Sequence, residues 1–561
     1  MFKKNLLMMV VLLTLPLSLL AADLPVVEKV NNRYQLKVDG KPYLVLGSQT
    51  NNSSNYPAML PLVWESAKAM HANTVSIPVA WEQIEPEEGT FDFSYVDVLL
   101  KEARKNNLRL VILWFATWKN NAPHYAPAWV KLDNQRFPRV VTREGKAINS
   151  LSPLGKTTLE ADKKAFVALM KFLASNDKQH TVIMIQPQNE VGTYGSVRDF
   201  SAAAQAVFNQ PVPSELVKAL NLREGVWQDV FGKDADEFFH AYHIAKYLEE
   251  ITAAGKAIKP LPMYVNVALR NPFNPGLPGQ YASGGPTDNV LDLWRKAAPS
   301  VDFIAPDIYF RDHKTVSKVL ELYARPDNPL FVAEIGNDQP YARYFYPTLG
   351  AGGLGFSPFG MDDTGYSNYP LGSKDYTAET IENFAKFYRM VAPMQDVLVD
   401  LQVNEKLWGF AEPLDTTENT GKIWNAEATQ QEQEINDRAH ALTQKVQMGN
   451  WQAVVTYGRP MFWIEPPKGN TPAQGAVLVG QLGEDEFLIT GYMSRVDILP
   501  SDENADKNFM IVRAEEGVYK NGKWTMTRVW NGDQTDWGFN FGDKYPAVLK
   551  VKMAIYDTDN N

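Results

Sequence analysis

Eight short apolar runs, separated by polar and amphipathic stretches, recur between residues 44 and 360 of this chain. Each run is long enough for one strand, and most of its residues are apolar rather than alternating with polar ones. Strands of this kind occur in parallel sheets that helices cover. The runs are Leu44–Gly47, Asn73–Trp81, Leu108–Trp118, Thr181–Glu190, Met263–Leu269, Val301–Phe310, Leu330–Asp338 and Gly353–Gly360.

The stretches between the runs carry apolar residues at helical spacing, for example over residues 96–103 and, after the eighth run, over 381–391. Eight strand-helix units predict a (β/α)8 barrel with insertions, an α/β fold. A doubly wound sheet is the alternative, but such a sheet usually has a glycine-rich phosphate turn after an early strand. No GxGxxG motif follows any of the early runs.

The pattern changes near residue 400. A helix is predicted over 432–447, and short strand-like runs follow it, with Asn521-Gly522 and Asn531-Gly532 as turn signals. We therefore predict a barrel over residues 23–400, opened by a hairpin at Asp39-Gly40, and a C-terminal β-sandwich domain over 401–561. This second domain shows no paired carboxylates at strand ends, which favours a supporting role over a catalytic one.

The first 22 residues have the pattern of a signal peptide. Lys3 and Lys4 precede the apolar segment Leu6–Leu20, which Pro16 interrupts, and two alanines follow it. The chain has no cysteine, so it needs no disulfide formation after export. We expect an exported protein of the bacterial periplasm or the extracellular space, cleaved after residue 22, with no membrane-spanning helix.

The composition is that of a soluble globular protein, with 45% hydrophobic and 21% charged residues. The net charge of −10 argues against nucleic acid as a partner, because nucleic-acid binders present a basic face.

Two glutamates follow apolar runs where catalytic groups of a barrel lie. Glu190, preceded by Asn189, ends the fourth run, and Glu334 ends the apolar part of the seventh. The active site of a (β/α)8 barrel lies at the carboxyl ends of its strands. Two carboxyl groups about 5–5.5 Å apart there perform retaining glycoside hydrolysis, one as acid/base and the other as nucleophile. We predict Glu190 as the acid/base and Glu334 as the nucleophile.

Aromatic residues at the ends of the runs predict a sugar-binding mouth, since aromatic faces stack on the apolar face of a pyranose. Tyr309, after the sixth run, can also donate a hydrogen bond to Glu334 and keep it ionised and oriented. Asn189 is placed to bond a sugar 2-hydroxyl. The aromatic candidates are Trp81, Trp114, Trp118, Tyr194, Tyr309 and Phe310.

Three segments resemble glycoside hydrolase family 35, the retaining β-galactosidases. They are Asn73–Phe93, which contains Glu-Pro-x-x-Gly-x-Phe-Asp-Phe, Met184–Gly195 around the Asn-Glu pair, and Ala126–Val130. The resemblance covers roughly residues 35 to 400, and the tail is similar to the β-domain of a bacterial branch of that family. It implies an exo-acting enzyme that removes terminal β-D-galactose from oligosaccharides or plant fragments such as galactosylated xyloglucan.

The resemblance also implies which loops hold the galactose hydroxyls. They follow strands one and three, and they contain Gln49 and Asn120 here. The sequence departs from the family in both loops, and Gln188 stands where a glutamate usually precedes the Asn-Glu pair. The implied substrate-binding set is Asn189, Tyr309, Trp114, Trp118, Asn120 and Gln49.

Other functions remain open from the sequence. A metal enzyme would use His240, His243 and Glu237, but a di-metal carboxylate site needs two Glu-x-x-His sets and only one is present. A serine hydrolase would need a Gly-x-Ser-x-Gly elbow, which is absent. The remaining alternatives are an endo-β-glucanase or mannanase of the same clan and a non-catalytic carbohydrate-binding protein. We expect a β-galactoside as substrate and neither metal nor cofactor.

Overall fold

The computed structural model describes residues 23–413, 442–458, 467–520, 522–544 and 547–556. The predicted signal peptide lies outside these residues. The described chain begins with a small antiparallel sheet of β1 (Val26–Val30), β2 (Arg33–Val38) and β3 (Lys41–Pro42). Asp39 and Gly40 both have positive φ, 53° and 72°, which is the geometry of a tight hairpin turn.

Eight parallel strands form the barrel, and each one falls within one of the eight apolar runs or overlaps it. They are β4 (Val45–Gln49), β5 (Thr74–Ala80), β6 (Arg109–Lys119), β9 (Val182–Asn189), β10 (Tyr264–Ala268), β11 (Phe303–Ile308), β12 (Val332–Ile335) and β13 (Gly355–Pro358). Seven neighbouring pairs are hydrogen-bonded ladders. The bridge between Ile185 and Met263 joins β9 to β10 and closes the ring. The predicted (β/α)8 barrel is confirmed.

Helices of the barrel half lie between the strands. The helix after β5, predicted from spacing, buries Val96, Leu99, Leu100 and Ala103 against the barrel, because these residues share one face. The helices are α1 (Leu60–Ala69), α2 (Trp81–Ile84), α3 (Ser94–Lys105), α4 (Ala128–Lys131), α5 (Lys156–Asn176), α6 (Ala202–Phe208), α7 (Ser214–Ala219), α8 (Trp227–Phe231), α9 (Ala235–Lys256), α10 (Leu291–Ala297), α11 (His313–Tyr323), α12 (Gln339–Ala342), α13 (Phe345–Gly350), α14 (Ala378–Val391) and α15 (Gln395–Val403). A hairpin of β7 (Arg139–Val141) and β8 (Ala147–Leu151) follows α4.

After Val403 the described chain is almost entirely β. One sheet has six strands and the other has four, and both are antiparallel. Apolar residues of both sheets, such as Val455 and Val479, form one buried cluster between them. The strands are β14 (Leu407–Ala411), β15 (Thr443–Met448), β16 (Trp451–Tyr457), β17 (Ala476–Gly483), β18 (Glu486–Tyr492), β19 (Ser494–Pro500), β20 (Asn508–Lys520), β21 (Lys523–Trp530), β22 (Phe539–Phe541) and β23 (Val548–Tyr556).

The helix predicted over 432–447 is wrong in its described part. Residues Thr443–Met448 form β15, which pairs in antiparallel fashion with β16. The turn at Gly449, with φ of 66°, folds the chain back, so pairing with β16 decides the conformation over local preference. The rest of the predicted helix lies outside the described residues.

The two parts share core contacts. Leu407, Ala411, Leu478 and Val548 belong to the same buried cluster as the barrel helices. Gly409 lies so close to the backbone of Tyr346 that a Cβ there would be 1.8 Å from its carbonyl oxygen. The first strand of the β part therefore packs backbone to backbone against the barrel. None of the described helices is long and apolar enough to cross a membrane.

Candidate active site

Glu334 lies on β12, the seventh barrel strand, and its carboxylate is bonded on both oxygens. The Nε2 group of Gln49 donates to Oε1 at 2.7 Å, and the hydroxyl of Tyr309 donates to Oε2 at 2.8 Å. Gln49 ends the first barrel strand and Tyr309 follows the sixth, so three strands fix this one side chain. The carboxylate is 4% exposed, and the two donors stabilise its charge and hold its direction.

Glu190 follows the fourth barrel strand in an uncommon backbone conformation. Its φ is 45°, and that of Gln188 is 65°, in the left-handed region that L-residues seldom adopt. The backbone N–H of Glu190 donates to Oδ1 of Asn266 on β10 at 2.9 Å. Such strain persists only where surrounding contacts fix it, and it is common at active sites. Here it turns the Glu190 carboxyl into the barrel mouth.

The two glutamates meet with a third carboxyl group. One oxygen each of Glu190, Asp307 and Glu334 lies within 4.8 Å of the others. Burial, and then the charge of Glu334, raises the pKa of Glu190 to about 7, although Lys119 and Asp307 oppose the shift. Burial also raises the pKa of Asp307 well above its usual range, and both glutamates add to the effect. A protonated acid therefore faces a carboxylate held by two donors.

The carboxyl groups lie in a cavity of about 690 Å³ at the carboxyl ends of the strands. Its walls combine polar side chains with aromatic rings, the composition expected of a sugar site. They come from many different loops: Asn51, Asn52, Ser53, Lys119, Asn120, Tyr125, Glu190, Tyr194, Ala268, Leu269, Asp307, Tyr309, Phe310, Glu334, Phe359, Tyr366, Asn368 and Leu371.

Of the predicted substrate-binding residues, Asn120 and Tyr309 line this cavity. Asn189 is fully buried: its Nδ2 donates to Asn120 Oδ1 at 3.0 Å, and its own Oδ1 accepts from Gln186 and Asn266. Gln49 lies beneath the cavity, bonded to Glu334. The structure thus places Asn189 and Gln49 as supports of Asn120 and Glu334 rather than at the cavity surface.

Trp114 and Trp118 do not lie at the mouth, in contrast to the prediction. Both are on β6 with side chains directed at the helices: the Trp114 indole donates to Asp162 on α5 at 2.9 Å, and the Trp118 ring packs 4.7 Å from Tyr247 on α9. The cause is the period of two along a strand, which sends alternate side chains to the outer face. Trp81 is also buried, whereas Tyr194 and Phe310 line the cavity.

The histidines considered as metal ligands are core residues. The ring of His240 is bonded to Thr193 Oγ1 at 2.8 Å, and Glu237 accepts from Tyr281 and Asn289. Burial lowers the pKa of His240 to about 3, and burial likewise lowers that of His243 to about 4. Neutral rings of this kind, with His240 fully buried, fit a structural role for these histidines.

Two residues of the site were not identified from the sequence. They are Asp307, within the sixth apolar run, and Asn266, within the fifth. Asn266 Nδ2 donates to Asp307 Oδ2 at 2.7 Å and to Asn189 Oδ1 at 3.1 Å. The signal available was position alone, since both side chains belong to barrel strands that end next to the site.

Comparisons with known proteins find glycosidases, whose chemistry uses paired carboxyl groups such as those in this site. Residues 63–239 match the model of glycoside hydrolase family 42, described as β-galactosidase, and residues 384–542 match a domain of unknown function, DUF5597. A β-galactosidase of Xanthomonas manihotis is 28% identical over 177 residues, which are 30% of this chain and 27% of that protein. The chain thus aligns with about a quarter of that curated relative.

Solved structures are similar at lower identity. The β-galactosidase from Bacillus circulans sp. alkalophilus has 14% identity and a TM-score of 0.47, covering 64% of this chain and 57% of its own. The catalytic domain of β-amylase from Paenibacillus polymyxa has 13% identity and a TM-score of 0.45, covering 61% and 96%.

The matching family model and the curated relative are both described as β-galactosidases, which is the class that the sequence predicts. They correct the family, because the matching model is that of family 42 and not that of family 35. All three segments that carried the resemblance lie within residues 63–239, the part of the chain that the family 42 model matches.

Proposed function

We propose that this protein is a retaining, exo-acting β-galactosidase that removes terminal β-D-galactose from oligosaccharides. The observation that carries the proposal is the pair Glu190 and Glu334. They stand at the ends of barrel strands four and seven, with carboxyl oxygens within 4.8 Å. A contact this short fits the retaining arrangement, with carboxyl groups about 5–5.5 Å apart, rather than the wider spacing of about 6.5–9.5 Å that leaves room for a water in inverting enzymes.

The reaction follows from the two environments. Glu334, held by Gln49 and Tyr309, attacks the anomeric carbon and forms a glycosyl ester. Glu190 has a pKa raised to about 7, so it is protonated at lower pH, and it gives this proton to the departing glycosidic oxygen. As a carboxylate it then takes a proton from the water that hydrolyses the ester. Each glutamate thus begins in the protonation state that its step needs.

The cavity wall offers groups for the galactose hydroxyls. Asn120 lines the cavity, and its orientation is fixed by Asn189 Nδ2 and by Lys119 Nζ, which both donate to its Oδ1. Its amide N–H groups are therefore directed away from these partners, and we assign them to a substrate oxygen. Tyr194 and Phe310 offer ring faces for the apolar side of the sugar.

A panel of aryl β-glycosides tests the sugar. Galactoside is expected to be cleaved with a kcat/KM at least about tenfold above glucoside, fucoside and arabinoside. A 2-deoxy-2-fluoro-galactosyl fluoride should trap an ester on the peptide that contains Glu334, and NMR should show β-galactose as the first product. Glu82→Gln is the control variant, because Glu82 follows strand two and is paired with Lys131 outside the cavity. It should give the same adduct and the same first product as the wild type. An adduct elsewhere, or α-galactose first, would disprove the assignment.

The natural substrate is proposed to be a plant fragment such as galactosylated xyloglucan. The support is the cavity itself, which at about 690 Å³ has room for more than one sugar unit. Chromatography of digests should show free galactose and an oligosaccharide shortened by one unit. Shortened backbones without free galactose would instead identify an endo-β-glucanase or mannanase. Binding without any hydrolysis would identify a carbohydrate-binding protein.

Export to the periplasm or beyond remains part of the proposal, supported by the first 22 residues. Fractionation of bacteria that express the full chain, with mass spectrometry of the mature N-terminus, tests it. A mature chain that starts near residue 23 is expected. A chain that retains Met1 in the cytoplasmic fraction would refute it.

A further inference from the structure

Asp307 is a buried carboxyl group within the site that the proposed reaction leaves without a role. It lies on β11 directly beside Glu334 of β12, since the two residues are register partners in the parallel ladder. It is 2% exposed and lines the same cavity as both glutamates. A third acid this close to an acid/base pair must be either a second charge or a hydrogen-bond donor.

The contacts of Asp307 are one-sided. Oδ2 accepts the 2.7 Å hydrogen bond from Asn266, whose own Oδ1 accepts from the backbone N–H of Glu190. Oδ1 is buried and has no hydrogen-bond partner among the described residues. A buried carboxylate oxygen without a donor is costly, whereas a protonated oxygen becomes a donor itself.

The charged and titratable groups around Asp307 point to the same state. Glu190 faces it from strand four and Glu334 from strand seven, while Lys119, the one cation near it in the described part of the chain, lies on strand three and interacts with Glu190 as well. The other titratable neighbours are the hydroxyls of Tyr264, Tyr309 and Tyr323. One cation cannot balance three carboxylates, so protons must be held in the cluster.

We infer that Asp307 is a positioning residue that stays protonated through the reaction and donates a hydrogen bond from Oδ1 to the carboxylate form of Glu190. The inference rests on the proposed function of Glu190. When Glu190 passes its proton to the glycosidic oxygen, the Asp307 O–H stabilises the resulting carboxylate and fixes its direction toward the attacking water. Glu190 then regains a proton from that water, and the Asp307 proton is never consumed.

Electrostatics support this order of protonation. Interaction with Asp307 lowers the pKa of Glu190, whereas interaction with Glu190 raises that of Asp307 further. These opposite directions favour the proton on Asp307 and the charge on Glu190. Asn266 makes the pair rigid, because it holds Asp307 and the backbone of Glu190 at once.

The test compares Asp307→Asn with Asp307→Ala in the full chain, using the pH profile of kcat/KM on an aryl β-galactoside. The amide of Asn is neutral and can donate a hydrogen bond. The alkaline limb of the Asp307→Asn profile should therefore lie at the same pH as that of the wild type, and kcat should fall by less than about tenfold. Ala removes the donor and destabilises the Glu190 carboxylate, so its alkaline limb should move to higher pH. Its deglycosylation step should slow by roughly tenfold to a hundredfold.

If Asp307 were ionised in the wild type, both variants would remove a charge, and both limbs would move to lower pH. That result, or an Ala variant with unchanged profile and rate, would overturn the inference. Asp307→Ser supplies a second neutral donor if the amide variant does not fold, and its limb should also stay. Glu82→Gln controls for a charge change elsewhere in the barrel, and circular dichroism confirms folding.

An infrared difference spectrum separates this inference from the proposed function, since it needs no turnover. Above the alkaline limb, wild type minus Asp307→Asn should show the C=O stretch of a protonated carboxylic acid. A carboxylate band in its place would overturn the role of Asp307 even if the enzyme cleaves galactosides. The acid band in a protein that cleaves no glycoside would instead leave the protonated Asp307 and disprove the function.

Discussion

Replacing Glu334 by Gln should lower the pKa of Glu190, and the size of the change follows from the geometry. The variant removes a negative charge within 4.8 Å of the Glu190 carboxyl and keeps the shape of the side chain. At that distance two unit charges interact by about 3.5 kcal/mol for an effective dielectric constant of about 20. This corresponds to about 2.5 pKa units.

The expected change in the pKa of Glu190 is smaller than this Coulomb value. Burial is the larger cause of the raised pKa of Glu190, which is about 7, and burial is unchanged in the variant. Lys119 also offsets part of the Glu334 charge. We therefore expect the pKa of Glu190 to fall by about one to two units.

Carbon-13 NMR of protein labelled at the glutamate δ-carbon measures this pKa without turnover. The Glu190 resonance is assigned by its loss from Glu190→Gln, and its midpoint is compared between wild type, Glu334→Gln and the control Glu82→Gln. The control should match wild type. A midpoint that moves by less than about 0.3 units in Glu334→Gln would show that the two carboxyl groups are not coupled. The assignment of an acid/base pair at this site would then be wrong.

Four further outcomes are expected. The kcat/KM for an aryl galactoside should be full below a pH of about 7 and fall as pH rises through it, because the raised pKa of Glu190 keeps the acid protonated only on that side; a flat profile to high pH would contradict this. Tyr309→Phe removes the 2.8 Å hydrogen bond to Glu334, and kcat/KM should fall by roughly 10- to 100-fold, as expected for a bond to a charged group, with wild-type thermal stability as the control. In the wild type, Asp162 accepts a 2.6 Å hydrogen bond from Gln188, and Gln188→Glu would place a second buried carboxyl group against it. Urea unfolding should therefore show a loss of about 3 kcal/mol in the free energy of unfolding, and no loss would mean that the two side chains rearrange. Incubation with EDTA should leave kcat unchanged, since the proposed acid and nucleophile need no Lewis acid; a loss restored by a divalent cation would contradict this.

The barrel could be predicted from the sequence because its strands are buried on both faces. Every residue of β5 and of β9 is buried, and continuous apolar runs are the direct result of that burial. The ends of these runs then give the positions of Glu190 and Glu334, since a parallel barrel directs all its carboxyl ends to one side. The apolar runs and the position at their carboxyl ends were together sufficient to identify the two glutamates.

Side-chain direction was not readable in the same way. A strand that is apolar on both faces has no alternation to show which residues point inward, so Trp114 and Trp118 looked equivalent to cavity residues. Their indole N–H groups instead bond Asp162 and the carbonyl of Leu151 outside the strand layer. Asp307 could not be identified for a similar reason. Its role depends on side chains from other strands, and these lie far from it along the sequence.

Gln188 shows how a departure from a family pattern is explained by local contacts. Its side chain donates to Asp162 at 2.6 Å and accepts from the backbone N–H of Trp118 at 3.0 Å, both fully inside the protein. Asp162 also accepts from Trp114, Thr117 and Tyr247. A glutamate at 188 could not donate to this carboxylate when ionised, so the amide suits an Asp162 that already collects several donors.

The β part of the chain is connected to the half of the site that holds the nucleophile. Arg343, which is 1% exposed, follows strand seven and donates to the carbonyl of Ala473 in the β part at 3.1 Å. The same guanidinium donates at 3.3 Å to the carbonyl of Arg311, two residues after Tyr309. The loops that leave strands six and seven are thus joined through one buried cation to the second domain. Because Tyr309 and Glu334 stand at the start of those loops, removal of the β part would loosen the nucleophile and its donor before it affected Glu190, which is held by Asn266 on strand five.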